Sequence, residues 1–382
     1  MACTGLGLVQ RGYERLFYDL YQLVRDQHDV TLFKGGGARS EREIVPLFAD
    51  RNGLLVKLLP VHKLFGRTPY HSECMTFALG LLPYLRGGAF DVVHIIDPPL
   101  TRLLYRMRKM LGLRFRLLHT EAAAMAPSDY PPADYTHHIS KATLDNALAY
   151  GYAPELMALI PCGVYPERFT VSEDRNTLRR NYGIPEDTFV ILSVAALNRS
   201  HKRTDYLVEE VAKLEGNFLL LLDGSLDHGD PDLLPWAKAK LGERCRISHV
   251  PSDKVRELYA LADIFIHGAT YEAFGIALAE AASTGLPMIV HNAPHFQWLI
   301  PNPNCWIDAL RPGELAEKLA AVMREPERLK TMSVRETMWK KFNWHVQKTD
   351  YSAMYRRVAA LEPRNVPEFE CRRILRGASE SN

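Results

Sequence analysis

IFIHGATYEAFGIALAEAASTGLPMIVHN, residues 264–292, reads as one strand–helix–strand unit. An apolar run ends in a short loop, a helix of small residues follows, and Gly285 and Pro287 close it before a second apolar run. Apolar runs without strict alternation are what parallel strands covered on both faces require. Glu272 lies in the loop, Gly275 at the helix start and Glu280 a turn further in. One reading is ordinary: Glu272 helps cap the helix and Glu280 is a solvated charge. The other is a ligand site. The first helical turn has unpaired N–H groups and the positive end of the dipole. Gly275 lets a diphosphate approach that backbone. Glu280 can accept two hydrogen bonds from a ribose diol, and Glu272 faces a transferring group.

The same alternation extends in both directions. Strands are expected near 189–196, 218–223, 245–250, 264–268, 288–292 and 305–308, and earlier near 30–33, 54–59, 92–96, 114–119 and 136–140. Strands alternating with helical patterns imply doubly wound parallel sheets, hence two Rossmann-like α/β domains. Prolines, a glycine and a polar run place the boundary within 160–176. The first strand is expected to be either very short or entered partway by the chain.

At 382 residues the chain suits two domains, and 47% hydrophobic with 24% charged residues is an ordinary globular composition. The formal charge of +2, from 47 basic and 45 acidic side chains, argues against nucleic acid as a partner. Six cysteines without a CxxC pair read as buried free thiols in a reducing compartment. No secretory signal or membrane-length apolar run is visible, so a cytoplasmic location is expected. The triple glycine of FKGGGARSE (33–41) does not open a helix and reads as a flexible loop at a cleft mouth. The segment 102–118 carries six basic residues among apolar ones. It reads first as a partly exposed helix feeding a buried strand, and second as a surface for weak peripheral contact with anionic lipid. His94, His137 and His138 read as satisfied strand-end histidines.

The segment 270–287 resembles the E-x7-E signature of retaining GT-B glycosyltransferases, especially glycosyltransferase family 4. Glu272, Phe274, Gly275, Glu280, Gly285 and Pro287 carry the match. GLGLVQRGYERLFYDLYQLV resembles the family's N-terminal glycine-rich loop and helix, with Gly12 and Glu14 at matching places. LLHTEAA resembles the strand end that presents a histidine to the donor sugar, which places His119 there. FNWHVQKTDYSAMY resembles the aromatic segment before a final helix that crosses back to the first domain. The implied architecture is GT-B: two Rossmann-like domains facing each other across a cleft. It comprises an acceptor-side domain (1–165), a nucleotide-sugar domain (166–345), a crossing helix (346–362) and a tail (363–382).

Lys202 aligns with the family lysine that contacts the donor diphosphate. The arginine usual five residues earlier is Leu197 here. Arg199 is assigned to the phosphates by chemistry alone, with Arg203 as a competitor. HNAPHFQWLI departs from the glycine pair and glutamate of many relatives, so His295 and Gln297 are expected to reshape the donor pocket. The resemblance implies sugar transfer from a nucleoside diphosphate sugar to an acceptor hydroxyl, with retention and without metal or cofactor. His119 and Glu272 then position and stabilise the sugar, and Lys202 supports the leaving diphosphate. Gly12, Arg199, Phe274, Gly275, Ile276 and Glu280 complete the donor site. The acceptor would be a sugar, lipid or small molecule. The rivals are a catalytically silent GT-B nucleotide-binding or scaffold protein, an epimerase and, more distantly, a dehydrogenase.

Overall fold

Apolar runs become central strands, and short polar-edged ones become the margins. The structure, a computed structural model, describes residues 1–9, 12–53, 68–123, 125–227 and 229–364. The chain divides into two units, Met1–Cys162 together with the chain from Gln347, and Gly163–Val346.

The N-terminal unit is built on strands β1 (Ala2–Cys3), β2 (Leu32–Lys34), β3 (Glu43–Ile44), β4 (Val92–Ile95), β5 (Arg116–Glu121), β6 (Tyr135–His138) and β7 (Met157–Leu159). They form one parallel sheet in the order β3-β2-β1-β4-β5-β6-β7. The order reverses between β1 and β4, which is the doubly wound pattern. β1 is only two residues long although it sits inside the sheet. Thr4, just beyond it, ties it to β4: its N–H and hydroxyl donate to the Asp97 carboxylate at 3.0 and 3.2 Å. The strand expected at 54–59 lies outside the described residues.

Helices Pro69–Leu85 and Pro98–Leu111 each have proline in the first turn, where the missing N–H costs nothing. They supply Phe77, Leu81, Leu100, Leu104 and Tyr105 to the core beneath the sheet. Burying each such side chain contributes about 1.5–3 kcal/mol. Helix Trp344–Ala359 continues from one unit into the other. From Gln347 on it docks on the N-terminal unit, where the Tyr351 hydroxyl donates to the Ile160 carbonyl at 3.3 Å. His28 Nε2 and the Ser352 hydroxyl also meet at 2.8 Å.

The C-terminal unit carries β8 (Phe189–Val194), β9 (Phe218–Asp223), β10 (Cys245–Ser248), β11 (Ile264–Ile266), β12 (Met288–His291) and β13 (Trp306–Ile307). This sheet is also parallel, in the order β10-β9-β8-β11-β12-β13, and it reverses between β8 and β11. β9, FLLLLD, is buried along its whole length.

One expectation needs correction. The triple glycine is not a flexible loop: the Gly36 N–H donates to the Leu6 carbonyl at 3.0 Å. A Cβ on Gly7 would stand 2.2 Å from the Gly36 carbonyl oxygen, so two loop backbones meet where no side chain fits. The basic stretch 102–118 is, as first read, a partly exposed helix, Pro98–Leu111, feeding the buried strand β5. Arg108 is fully buried against Asp134, and Arg116 donates to the Leu361 carbonyl at 2.6 Å. Cys3, Cys74, Cys162, Cys245 and Cys305 are buried free thiols. Among the described residues, no helix is long and apolar enough to cross a membrane.

Candidate functional site

The loop after β11 decides between capping and ligand binding. Helix Ile276–Thr284 has Gly275 as its N-cap, at φ 93°, with no side-chain cap hydrogen bond. Glu272 therefore does not cap it. Gly275, Ile276 and Ala277 are half-buried, which leaves this uncapped end partly accessible. Phe274, expected at the donor, instead spends its ring on the core, edge-on to Trp298 and Phe342. Its carbonyl accepts a hydrogen bond from His295 Nε2 at 2.9 Å, so His295 anchors the loop. Gln297 turns to Asn292, whose side-chain oxygen accepts at 2.8 Å.

Glu272 is buried, 7% exposed, and its Oε1 receives the Lys202 ammonium together with His267 Nε2 at 2.8 Å. His201 Nε2 stands 3.7 Å from Oε2. Burial by itself raises the Glu272 carboxyl, but His201, His267 and Lys202 outweigh it and hold the group well below the usual carboxylate range. A carboxylate must accept, so His267 donates from Nε2. Glu280 is not a solvated charge: it is 7% exposed and accepts from the Tyr259 hydroxyl at 3.0 Å.

The loop between β8 and helix Thr204–Val211 presents Lys202. Asn198 shapes it, its side-chain oxygen accepting from the His201 and Lys202 N–H groups at 2.9 and 2.8 Å. Lys202 thus follows β8 and Glu272 follows β11, the two strands at the order reversal where doubly wound sheets place ligands. Arg199 does not join them, a correction to its assignment to the phosphates. Its guanidinium pairs with Asp230 and Asp232, at 3.3 and 2.9 Å, because this loop runs beside the acidic segment after β9. Arg203 donates to the Ala309 carbonyl at 3.1 Å and lies 4.4 Å from the Tyr206 ring centroid. Leu197 is buried, and its N–H donates to the Ser225 carbonyl at 2.8 Å.

In the N-terminal unit, Gly12 opens helix Gly12–Val24 and is exposed, while Glu14 is buried. His119 is 1% exposed near the end of β5, with Nδ1 3.0 Å from the Thr101 hydroxyl and Nε2 3.6 Å from the Glu121 carboxylate. His94 and His137 are hydrogen-bonded strand-end histidines as expected. His138 is not: both its ring nitrogens are buried without a hydrogen-bond partner among the described residues. Among those residues, no cluster of three or more histidine, cysteine or acidic side chains is arranged to hold a metal ion.

Asn198, His267 and Tyr259 are absent from the sequence reading. His267 has a local signal, since it directly follows a strand five residues before Glu272. Asn198 and Tyr259 reach the site only through folding.

Residues 174–337 match the family described as "Glycosyl transferases group 1". The lipopolysaccharide glucosyltransferase WaaG of Escherichia coli (strain K12) is 30% identical over 184 residues, 46% of this chain and 48% of that protein. The D-inositol 3-phosphate glycosyltransferase of Corynebacterium efficiens is 22% identical over 378 residues, 89% of each chain. With the first curated relatives the match spans about half of their length. The solved structure of Anabaena HepE in complex with UDP-glucose superposes with a TM-score of 0.74 at 15% identity, covering 93% of this chain and 98% of that one. That likeness establishes the fold. The similarity to the glycosyl transferases group 1 family thus lies in residues 174–337, and the chain shares with the HepE structure a fold of two parallel-sheet Rossmann-like domains.

Proposed function

We propose that the protein is a retaining glycosyltransferase that moves a sugar from a nucleoside diphosphate sugar to an acceptor hydroxyl. The observation that carries this reading is the uncapped end of helix Ile276–Thr284 following Glu272, which holds the Lys202 ammonium. A departing diphosphate gathers negative charge as the glycosidic bond breaks. Lys202 and the helix N–H groups are preorganised donors for that charge and supply it without a metal. The donor's diphosphate draws Lys202 from Glu272, while His267 keeps the carboxylate in place. Glu280, with Tyr259, receives the ribose diol. Ionised and already hydrogen-bonded, Glu272 positions and stabilises the oxocarbenium-like sugar instead of attacking it. The departing phosphate takes the acceptor proton, on the same face that the acceptor approaches.

UDP-glucose, the ligand in the HepE structure, is the first donor to test. The acceptor is a sugar, lipid or small-molecule hydroxyl, a range that includes the lipopolysaccharide and inositol phosphate of the named relatives. A silent nucleotide-binding protein is the second reading. It is favoured by Leu197 in the core and by Arg199 turned to Asp230 and Asp232, which together leave Lys202 as the sole cation of the expected pair. Release of nucleoside diphosphate decides. Melting temperatures with UDP, GDP, ADP and their sugar conjugates identify the donor, and turnover of that donor supports transfer. Binding without any release of diphosphate leaves the silent reading.

A further inference from the structure

Arg203 is the one non-glycine residue with a positive φ among the described residues, at φ 52° and ψ 46°. That is the left-handed region, where a Cβ is crowded and glycine or asparagine is the ordinary occupant. Arg203 sits there as the N-cap of helix Thr204–Val211, yet its side chain makes no cap hydrogen bond. The turn itself does not call for an arginine. A strained residue persists only where its surroundings over-determine it.

Those surroundings come from three places. Within the loop, Asn198 brackets the turn: its side-chain oxygen accepts from the Lys202 N–H at 2.8 Å, and its carbonyl accepts from the Thr204 N–H at 2.9 Å. From outside the loop, the Arg203 guanidinium donates to the Ala309 carbonyl after β13 at 3.1 Å and to the Gly268 carbonyl after β11 at 3.4 Å. The same guanidinium lies 4.4 Å from the ring centroid of Tyr206, three residues on. Gly268 also lets the turn close in. A Cβ there would stand 2.7 Å from the Lys202 carbonyl oxygen and 2.9 Å from that of Arg203. A planar fork of donors over an aromatic face is what arginine supplies and lysine does not.

This clamp joins the two loops of the candidate site a second time. Lys202, immediately before Arg203, reaches Glu272, and Glu272 is also held by His267, immediately before Gly268. A diphosphate breaks the first link by drawing Lys202 away. The clamp ends on backbone carbonyls and stays. We propose that Arg203 is a positioning residue: its guanidinium, fastened to the Gly268 and Ala309 carbonyls, holds a left-handed turn that aims Lys202 at the departing diphosphate. Arg203 is then no rival cation for the phosphates but the fastening of the cation beside it. That Lys202 meets a diphosphate rests on the function proposed above, whereas its fixation by Arg203 does not.

The test uses Arg203→Gly, because glycine adopts this turn without strain and carries no guanidinium, so the clamp alone is lost. Nitrogen-15 NMR of the lysine ammonium groups in the full chain reads the fastening without any substrate, with the Lys202 signal assigned by its absence from Lys202→Ala. That signal should shift or broaden in Arg203→Gly. Release of UDP, GDP or ADP from the corresponding glucose conjugate reads the consequence. There kcat should fall about tenfold with KM within about twofold, since the aim of Lys202 counts in the transition state. In the Lys202→Ala background the same substitution should change kcat by less than about twofold, because Arg203 acts only through Lys202. Arg203→Asn, which also tolerates the left-handed turn, is the second variant if the first fails to fold. An unmoved Lys202 signal in a folded variant overturns the proposal, as does parent-like turnover or an equal loss of kcat in both backgrounds. A parent that releases no nucleotide from any conjugate, with a Lys202 signal that does respond, upholds the fastening and leaves the silent reading.

Discussion

Lys202 and His267 meet on one carboxylate oxygen of Glu272. The two partners have different fates under the proposed mechanism. Lys202 reaches Glu272 from the loop after β8 and is free to be drawn to a diphosphate. His267 directly follows β11, five residues from Glu272, and stays with it. Removing the lysine therefore removes charge from the leaving group but leaves Glu272 hydrogen-bonded. Lys202→Ala should lower kcat by about 10²–10³-fold, the usual effect of losing one preorganised donor. Its folding transition should move far less. Diphosphate release and a urea melt on the same preparation check both parts, and parent-like turnover would remove Lys202 from the mechanism.

Arg199 supplies the contrast. Its guanidinium is committed to the half-buried Asp230 and the exposed Asp232. Arg199→Ala should leave donor turnover within about twofold of the parent, as an ordinary surface change would. A loss as large as that of Lys202→Ala would show that the arginine leaves its aspartates when donor binds.

The difference between these two cations marks how far the sequence was legible. Strands such as 189–194 and 218–223 are apolar apart from Ser193 and Asp223, so burial on both faces is legible directly. β3 and β7, two and three residues long, carry too little pattern to be recognised. Glu272 and Glu280 stand out because their spacing around one loop and helix is local, whereas Lys202, far from them in the chain, is singled out only by the family resemblance. Where Arg199 points depends on Asp230 and Asp232, some thirty positions away, and only folding brings them together. The glycines at 35–37 were misjudged for the same reason, since the backbone they press on belongs to the loop after β1.

Glu280 and Tyr259 form a second testable pair. Tyr259→Phe keeps the ring packing and removes one hydrogen bond, worth about 1 kcal/mol. If that bond orients the carboxylate for a ribose, nucleotide affinity should fall by about fivefold, and Glu280→Ala should weaken it further. A nucleotide at about 100 times its dissociation constant adds about 2.7 kcal/mol of stability to the parent. The melting shift is thus large enough to rank the three proteins. Equal shifts in all three would place the nucleotide elsewhere.

The charge for the leaving diphosphate is assigned to Lys202 and the helix end, so exhaustive chelation should leave turnover within about twofold of the untreated enzyme. Collapse on chelation, with recovery when magnesium or manganese is returned, would transfer that role to a metal.

Acid should destabilise the fold before it affects ordinary carboxylates. Burial, helped by its histidine neighbours, holds His94 well below its ordinary value, and burial brings His137 to about 4 and His138 to about 3. In the unfolded chain each takes up a proton near pH 6.5. Between about pH 6.5 and 4 the unfolded chain binds protons that the folded chain refuses, so stability falls as pH falls. Each histidine contributes up to about 1.4 kcal/mol per pH unit. Glu272 acts in the same direction lower down. Its folded value is depressed, so its stabilisation is present above the unfolded value of about 4.3 and is lost as pH falls through the folded one. Urea unfolding at a series of pH values from about 7.5 to 4.5 measures the slope. His138→Gln removes one titrating group and should flatten that slope by about one proton's worth. A stability profile flat across this range would mean that the folded chain accepts those protons, and that the hydrogen bonds joining His94 and His137 to Tyr355, Thr120 and the Ile160 carbonyl open at little cost.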